Sequence, residues 1–355
     1  MLMMSKRTDS IPPAYGKSPL LQSDGRTSLA PALNACLVLI LLLFTLAGCS
    51  TRSQGTWAGP AFPAQTRLDP LNQQQPRTRC ITTVHYRIYT DIADLETLDR
   101  LAQLMEGAYT QYCTICPVLS HSTPNPQPMP CYLFARRAQW AEFTSRHTGP
   151  DAAIYLQIDR GAYTINDHFV AFWLGDRGTY AVASHEGFHQ FVAHHFAGRI
   201  APALEEGFAC LFESVAWEES LPRWNLEFGG KRADDLARAL SDRKMWPLPE
   251  LLRLHAGDVI SQPRPRIDAF YAQNWAFARF LWYSQDQKYR PAVQRYLADT
   301  AAGQAWRPPN TAAYSKLKPR DWNPDLAVLQ LEHYLGQSLR DLEPAYLDYC
   351  QSLGR

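Results

Sequence analysis

The sequence predicts an α+β fold in which a small mixed-sheet lobe, at about residues 80–200, precedes a helical lobe at about residues 201–355. Three observations predict it. Strand-forming runs are confined to the first part of the chain and helical patterns fill the second. Two helix-compatible segments rich in histidine and glutamate lie at the junction.

In chain order, Thr82–Thr90 alternates like a strand, Asp94–Cys113 reads as a helix, and Cys131–Ala135, Ala152–Ile158 and His168–Leu174 read as further strands. The turn signal Gly175-Asp-Arg-Gly178 then introduces a mostly apolar helix of about 20 residues that ends near Gly198. Pro202 suits the first turn of the next helix. Helical signals follow at Asp234–Asp242, Leu248–His255, Ala269–Gln285, Pro291–Ala302, Pro324–Leu335 and Ser338–Cys350, the last opening Ser-x-x-Asp like a cap.

The helix after Gly178 contains His185-Glu186-Gly187-Phe188-His189. Residues four apart project from one helix face, so both imidazoles can reach one metal ion while Glu186, rotated by about 100°, points beside it. A water on such an ion drops from a pKa near 15.7 to about 7, and a neighbouring carboxylate can take its proton during attack on a carbonyl. His195 occupies the place of a third histidine ligand, but ten residues of unbroken helix turn it about 280° from that face, and Val192 stands where a helix-breaking glycine would be needed. His194 and His195 therefore read as helix-end residues favoured by the C-terminal dipole.

The second segment, Pro202-Ala-Leu-Glu-Glu206-Gly207-Phe-Ala209, supplies another donor. His-Glu-x-x-His followed by Pro-x-x-x-Glu-Gly-x-Ala resembles the gluzincin, or peptidase MA-like, zinc metallopeptidase superfamily. That resemblance implies a zincin-like fold with the zinc between the lobes, one catalytic Zn2+ held by His185, His189 and Glu206, and Glu186 as the base. Two histidines and one glutamate leave a fourth position for water, as catalytic sites require. Gly207 and Ala209 would let the two zinc helices approach closely. Ala203 stands where the superfamily often has tryptophan. Glu205 reads as a solvated charge, and Glu213 as either an exposed carboxylate or one that supports a ligand. Related proteins carry Tyr-x-Gln near Tyr271-Ala-Gln273, so Tyr271 is a candidate donor to an oxyanion, with core packing as the other reading. They also place an edge strand beside the zinc, for which Phe169–Trp173 is the candidate and an ordinary buried strand the alternative.

Before the apolar run Ala35–Ala47 come Lys6, Arg7, Lys17 and Arg26, and after it Gly48 and Cys49, the outline of an export signal. Leu46-Ala-Gly-Cys49 resembles a bacterial lipobox, which implies cleavage after residue 48, lipid on Cys49 and a membrane partner through that lipid. Roughly 14 apolar residues fall short of the about 20 that span a bilayer. Ser50 then favours an outer-membrane destination where one exists. Residues 49–79 have the Gln, Pro, Gly and Thr content of a solvated tether, leaving 80–355 for the folded part.

Loss of residues 1–48 removes four positive and two negative side chains and takes the formal net charge from +1 to −1, which offers nothing to nucleic acid. Cys80, Cys113, Cys116, Cys131, Cys210 and Cys350 can form disulfides or stay as buried thiols outside the cytoplasm. The expected activity is hydrolysis of a peptide or protein substrate. The alternative is a cell-envelope binding or scaffold lipoprotein that keeps the fold without turnover, against which the presence of a base at Glu186 argues.

Overall fold

A computed structural model describes residues 67–70, 78–117, 127–158, 161–165, 167–309 and 311–353. The expected signal, lipobox and most of the expected tether lie outside these residues. The fold is α+β. A mixed sheet is formed by β1 (Arg67–Pro70), β2 (Arg79–Thr82), β3 (Tyr86–Thr90), β4 (Met129–Phe134), β5 (Ala162–Ile165) and β6 (His168–Phe172), in the order β1-β2-β3-β4-β6-β5. The pairs β3/β4 and β4/β6 are parallel and the others antiparallel.

Helix α1 (Leu95–Ile115) starts where the Asp94 carboxylate accepts from the Thr97 N–H at 2.8 Å. Helix α2 is Arg137–His147, and α3 is Asp176–His195, a helix of the predicted 20-residue length. The remaining long helices are α4 (Pro202–Phe212), α5 (Gly230–Ser241), α6 (Arg264–Tyr283), α7 (Arg290–Ala301), α8 (Pro324–Leu335) and α9 (Leu339–Leu353). The Ser338 hydroxyl accepts from the Asp341 N–H at 3.1 Å ahead of α9, the cap its sequence announces. Among the described residues no helix is long and apolar enough to cross a membrane.

The sheet separates two apolar regions, and β6 shows how. Phe169 and Ala171 join the main core with α1, α3 and α4, whereas Val170 and Phe172 join Trp140 of α2 and Tyr163 on the other face. An uninterrupted apolar run is what a strand covered on both faces needs.

Several expectations are corrected. Thr82–Thr90 is two strands, because Thr83 closes a turn by accepting on its hydroxyl from the Tyr86 N–H at 3.1 Å. Ala152–Ile158 is a single helical turn, Ala152–Tyr155, entered through Gly149-Pro150-Asp151. Of the two readings of Phe169–Trp173 the structure selects the buried strand: Phe169–Phe172 is interior, paired with β4 on one side and β5 on the other, and β5 is the edge strand on that side. Part of the expected tether, Arg67–Pro70, pairs with β2. A hairpin of β7 (Val215–Glu218) and β8 (Leu221–Trp224), absent from the sequence reading, follows α4 and turns through Glu219 at φ +56°.

Two glycines set the helix crossings. A Cβ on Gly187 would lie 2.6 Å from the Tyr112 hydroxyl, which donates to the Ser184 carbonyl at 2.7 Å, so α3 and α1 meet only without that carbon. A Cβ on Gly207 would lie 2.2 Å from the Asn274 carbonyl oxygen and 2.8 Å from the Ala278 Cβ. Gly207 thus serves the approach of α4 to α6, not that of α4 to α3.

Gly207→Ala should destabilise the fold by about 1–3 kcal/mol or more, because backbone rather than a flexible side-chain end must yield. Denaturant unfolding of the metal-free protein checks this, and unchanged stability would show that α4 and α6 are not packed so closely.

Candidate metal centre

The two histidines of α3 and one glutamate of α4 converge. His185 Nε2 lies 3.3 Å from His189 Nε2, and Glu206 Oε2 lies 3.4 Å from the first and 3.5 Å from the second. Ligands about 2.0–2.1 Å from a tetrahedral zinc stand about 3.3–3.4 Å apart, so this near-equilateral triangle has the size of one face of such a site. Glu206 Oε2 is buried and has no hydrogen-bond partner, the condition of an atom that fits a cation. The donor set and its spacing therefore fit one zinc ion, and His185, His189 and Glu206 are the residues that would hold it.

Each histidine is oriented from behind. His185 Nδ1 is 2.9 Å from Glu213 Oε1, and His189 Nδ1 is 2.8 Å from Glu205 Oε1. A carboxylate on the outer nitrogen fixes the tautomer that leaves Nε2 free for a metal. Glu205 is accordingly not the solvated charge expected from the sequence: its side chain is 18% exposed and bonded to a ligand histidine. Of the two readings of Glu213, the structure selects the supporting one. Arg232 grips Glu213 through Nη2–Oε1 at 2.6 Å and Nε–Oε2 at 2.8 Å.

The charges are mutually compensated. Burial opposes ionisation of Glu206, but the two imidazoles beside it hold its pKa well below the usual carboxylate range. Glu213 is likewise buried, yet Arg232 and His185 bring it down to about 2. Burial alone would lower the pKa of His189, whereas Glu206 and Glu205 carry it up to about 10. A group that retains a proton this strongly sits in a place that favours positive charge.

Glu186 projects toward the edge strand β5. Thr164 of β5 donates from its hydroxyl to Glu186 Oε2 at 3.1 Å, and the same hydroxyl lies 3.0 Å from the Glu186 carbonyl oxygen. Tyr271 of α6 also reaches the centre, with its ring centroid 6.3 Å from that of His185. Burial beside Glu206 raises its pKa far above the usual phenol value, so its hydroxyl keeps its proton.

His195 is excluded from the triangle, as helix geometry requires, and its Nε2 lies 3.2 Å from the Tyr109 hydroxyl. His194 Nδ1 is 3.7 Å from Asp167. Cys210 is a buried core thiol as expected, but it also stands beside His185 and Glu213. Cys113, Cys131, Cys210 and Cys350 carry free thiols. Sequence reasoning missed Thr164 and Arg232. Thr164 lies in a strand of only four residues, and Arg232 lies ahead of the predicted helix start at Asp234. Comparison of the chain with known protein families, curated proteins and solved structures finds no match.

Glu206→Ala should abolish stoichiometric zinc binding and His195→Ala should preserve it. Glu205→Gln and Glu213→Gln should each weaken it by about 10–100-fold. Elemental analysis and chelator competition on folded, dialysed protein decide the matter. A site emptied by His195→Ala but retained in Glu206→Ala would overturn the ligand set.

Zinc binding should also release protons at neutral pH. The raised pKa of His189 leaves it protonated there without metal, so the ion must displace that proton and affinity should rise with pH toward about 10. Calorimetry in two buffers of different ionisation enthalpy measures the release. Buffer-independent heats would show an already neutral histidine.

Proposed function

We propose that the chain is a lipid-anchored, extracytoplasmic zinc metallopeptidase of the gluzincin type, with a zincin-like domain over residues 80–355. The observation that carries this reading is the triangle of His185, His189 and Glu206, with the carboxylate-bearing Glu186 next to His185 in the same helix. A purely structural zinc site needs four protein ligands and no base, whereas three ligands and a base match hydrolysis.

When bound, zinc supplies a Lewis acid that acidifies a water and polarises a carbonyl. Glu186 takes the proton of that water and can pass it to the leaving amine, held for both tasks by the Thr164 hydroxyl at 3.1 Å. Tyr271, protonated and adjacent to His185, is placed to donate to the oxyanion. The β5 edge, one residue of which holds Glu186, offers backbone groups to an extended peptide. Strand addition there would bring the scissile bond past the base. Lipid on Cys49 would tether this domain to the outer membrane where one exists.

Glu186→Gln should keep its zinc and lose about 10²–10⁴-fold in hydrolysis of unfolded casein or a random peptide pool. Wild-type hydrolysis must in turn be sensitive to a chelator. Equal rates in the variant and the wild type would end this mechanism.

Cys49→Ala should leave the protein without lipid and in the soluble fraction, since no other segment after the signal is apolar enough to anchor it. Metabolic labelling with a fatty acid checks this, and label persisting in the variant would refute the anchor.

A further inference from the structure

We propose that Arg232 is a positioning residue for the metal centre, whose guanidinium fixes the plane of the Glu213 carboxylate so that Glu213 directs His185 toward the metal. The inference rests on the metal-site reading and adds to it a part that neither motif contains.

Glu213 is the C-cap of α4, its backbone still helical at φ −63° and ψ −20°, which fixes the Cα–Cβ direction but not the plane of the carboxylate. Its carboxylate must nevertheless present one oxygen to His185 Nδ1, at 2.9 Å. Arg232 engages both oxygens, Nη2 with Oε1 at 2.6 Å and Nε with Oε2 at 2.8 Å. A planar fork on a planar carboxylate leaves the latter no freedom to rotate, and the shared Oε1 is thereby aimed at the imidazole. The guanidinium is located in turn. Its Nη1 is 4.0 Å from Asp235, which Lys231 and Arg238 also bond, and its Cζ lies 5.1 Å from the centre of the Tyr271 ring.

The other ligand histidine is treated differently. Glu205 projects from within α4, and among the described residues it has no cationic partner besides His189. The brace is present only on the side where the chain leaves the helix. Arg232 is 16% exposed and Glu213 is 22% exposed, so removing either leaves the other desolvated and uncompensated. A lysine at this position would supply the charge but not the fork.

A double-mutant cycle on zinc affinity tests the assignment, using chelator competition on the full chain as wild type, Arg232→Met, Glu213→Gln and both together, with circular dichroism confirming the fold. Each single variant should weaken zinc binding by about 10–100-fold. The double variant should be no weaker than Glu213→Gln, because the arginine has nothing left to orient. Losses that multiply would show two independent structural effects and overturn the proposal. Arg232→Lys carries the test if Arg232→Met does not fold: it should bind zinc more weakly than the wild type, and wild-type affinity would overturn the role of the fork. A wild-type protein that binds no zinc would sink the metal reading itself, whereas tight wild-type binding with unaffected Arg232 variants would sink this inference alone.

Discussion

The constraint on which the rest of the centre depends is the balance of charge in a dry place. Glu205, Glu206 and Glu213 are gathered around two imidazoles at side-chain exposures of 12–22%. Carboxylates so placed are expensive unless paired, and Arg232 offsets only one of them. The remaining two negative charges can be met by a proton on each imidazole or by one divalent ion on the inner nitrogens. Either arrangement leaves each Nδ1–H to its own carboxylate, and a divalent ion on the inner nitrogens would also take up Glu206 Oε2. The charge count and the 3.3–3.5 Å triangle are both compatible with a divalent ion.

The fold exists around this balance as a means of bringing two helices to one point. α3 supplies both histidines and Glu186 from a single face and its neighbour, because four residues make about one turn. α4 must then place Glu206 opposite them, and it is held there from behind by α6, against which Gly207 lets it lie with no side chain between. The same α6 carries Tyr271 to the centre. The sheet lobe contributes through its edge: Thr164 reaches Glu186 because β5, not β6, is the last strand.

How much of this the sequence discloses follows from how local each feature is. The histidine pair and the placing of Glu186 beside it are readable because helix periodicity sets them, Glu206 is readable only through the resemblance of its motif, and the mixed sheet followed by helices is readable from pattern. Strand order is not, since a four-residue edge strand such as β5 has too little pattern to separate it from a loop, and an apolar run such as Ala152–Ile158 looks the same as strand or helix. Glu205 looked solvated because its neighbours in sequence say nothing of His189 Nδ1, which a different helix delivers. Arg232 was invisible for a related reason. It follows Gly229 and Gly230, which depress helix propensity, and its partner Glu213 is 19 residues earlier beyond a hairpin.

That hairpin explains why the support for the two histidines is unequal. The chain leaves α4 at Phe212, runs through β7 and β8, and returns into α5 with Arg232 near its start. Among the described residues Glu205 has no such brace and meets His189 alone. Glu213 is the C-cap of α4 with its backbone still helical, but an unbraced carboxylate there would sample several rotamers and lose part of its effect on His185. The returning helix removes that freedom with a side chain whose geometry suits a carboxylate plane. A centre assembled from two helices thus acquires a third at the place where helical order runs out, and the stretch from Ser214 to Gly229 is the connection that this requires.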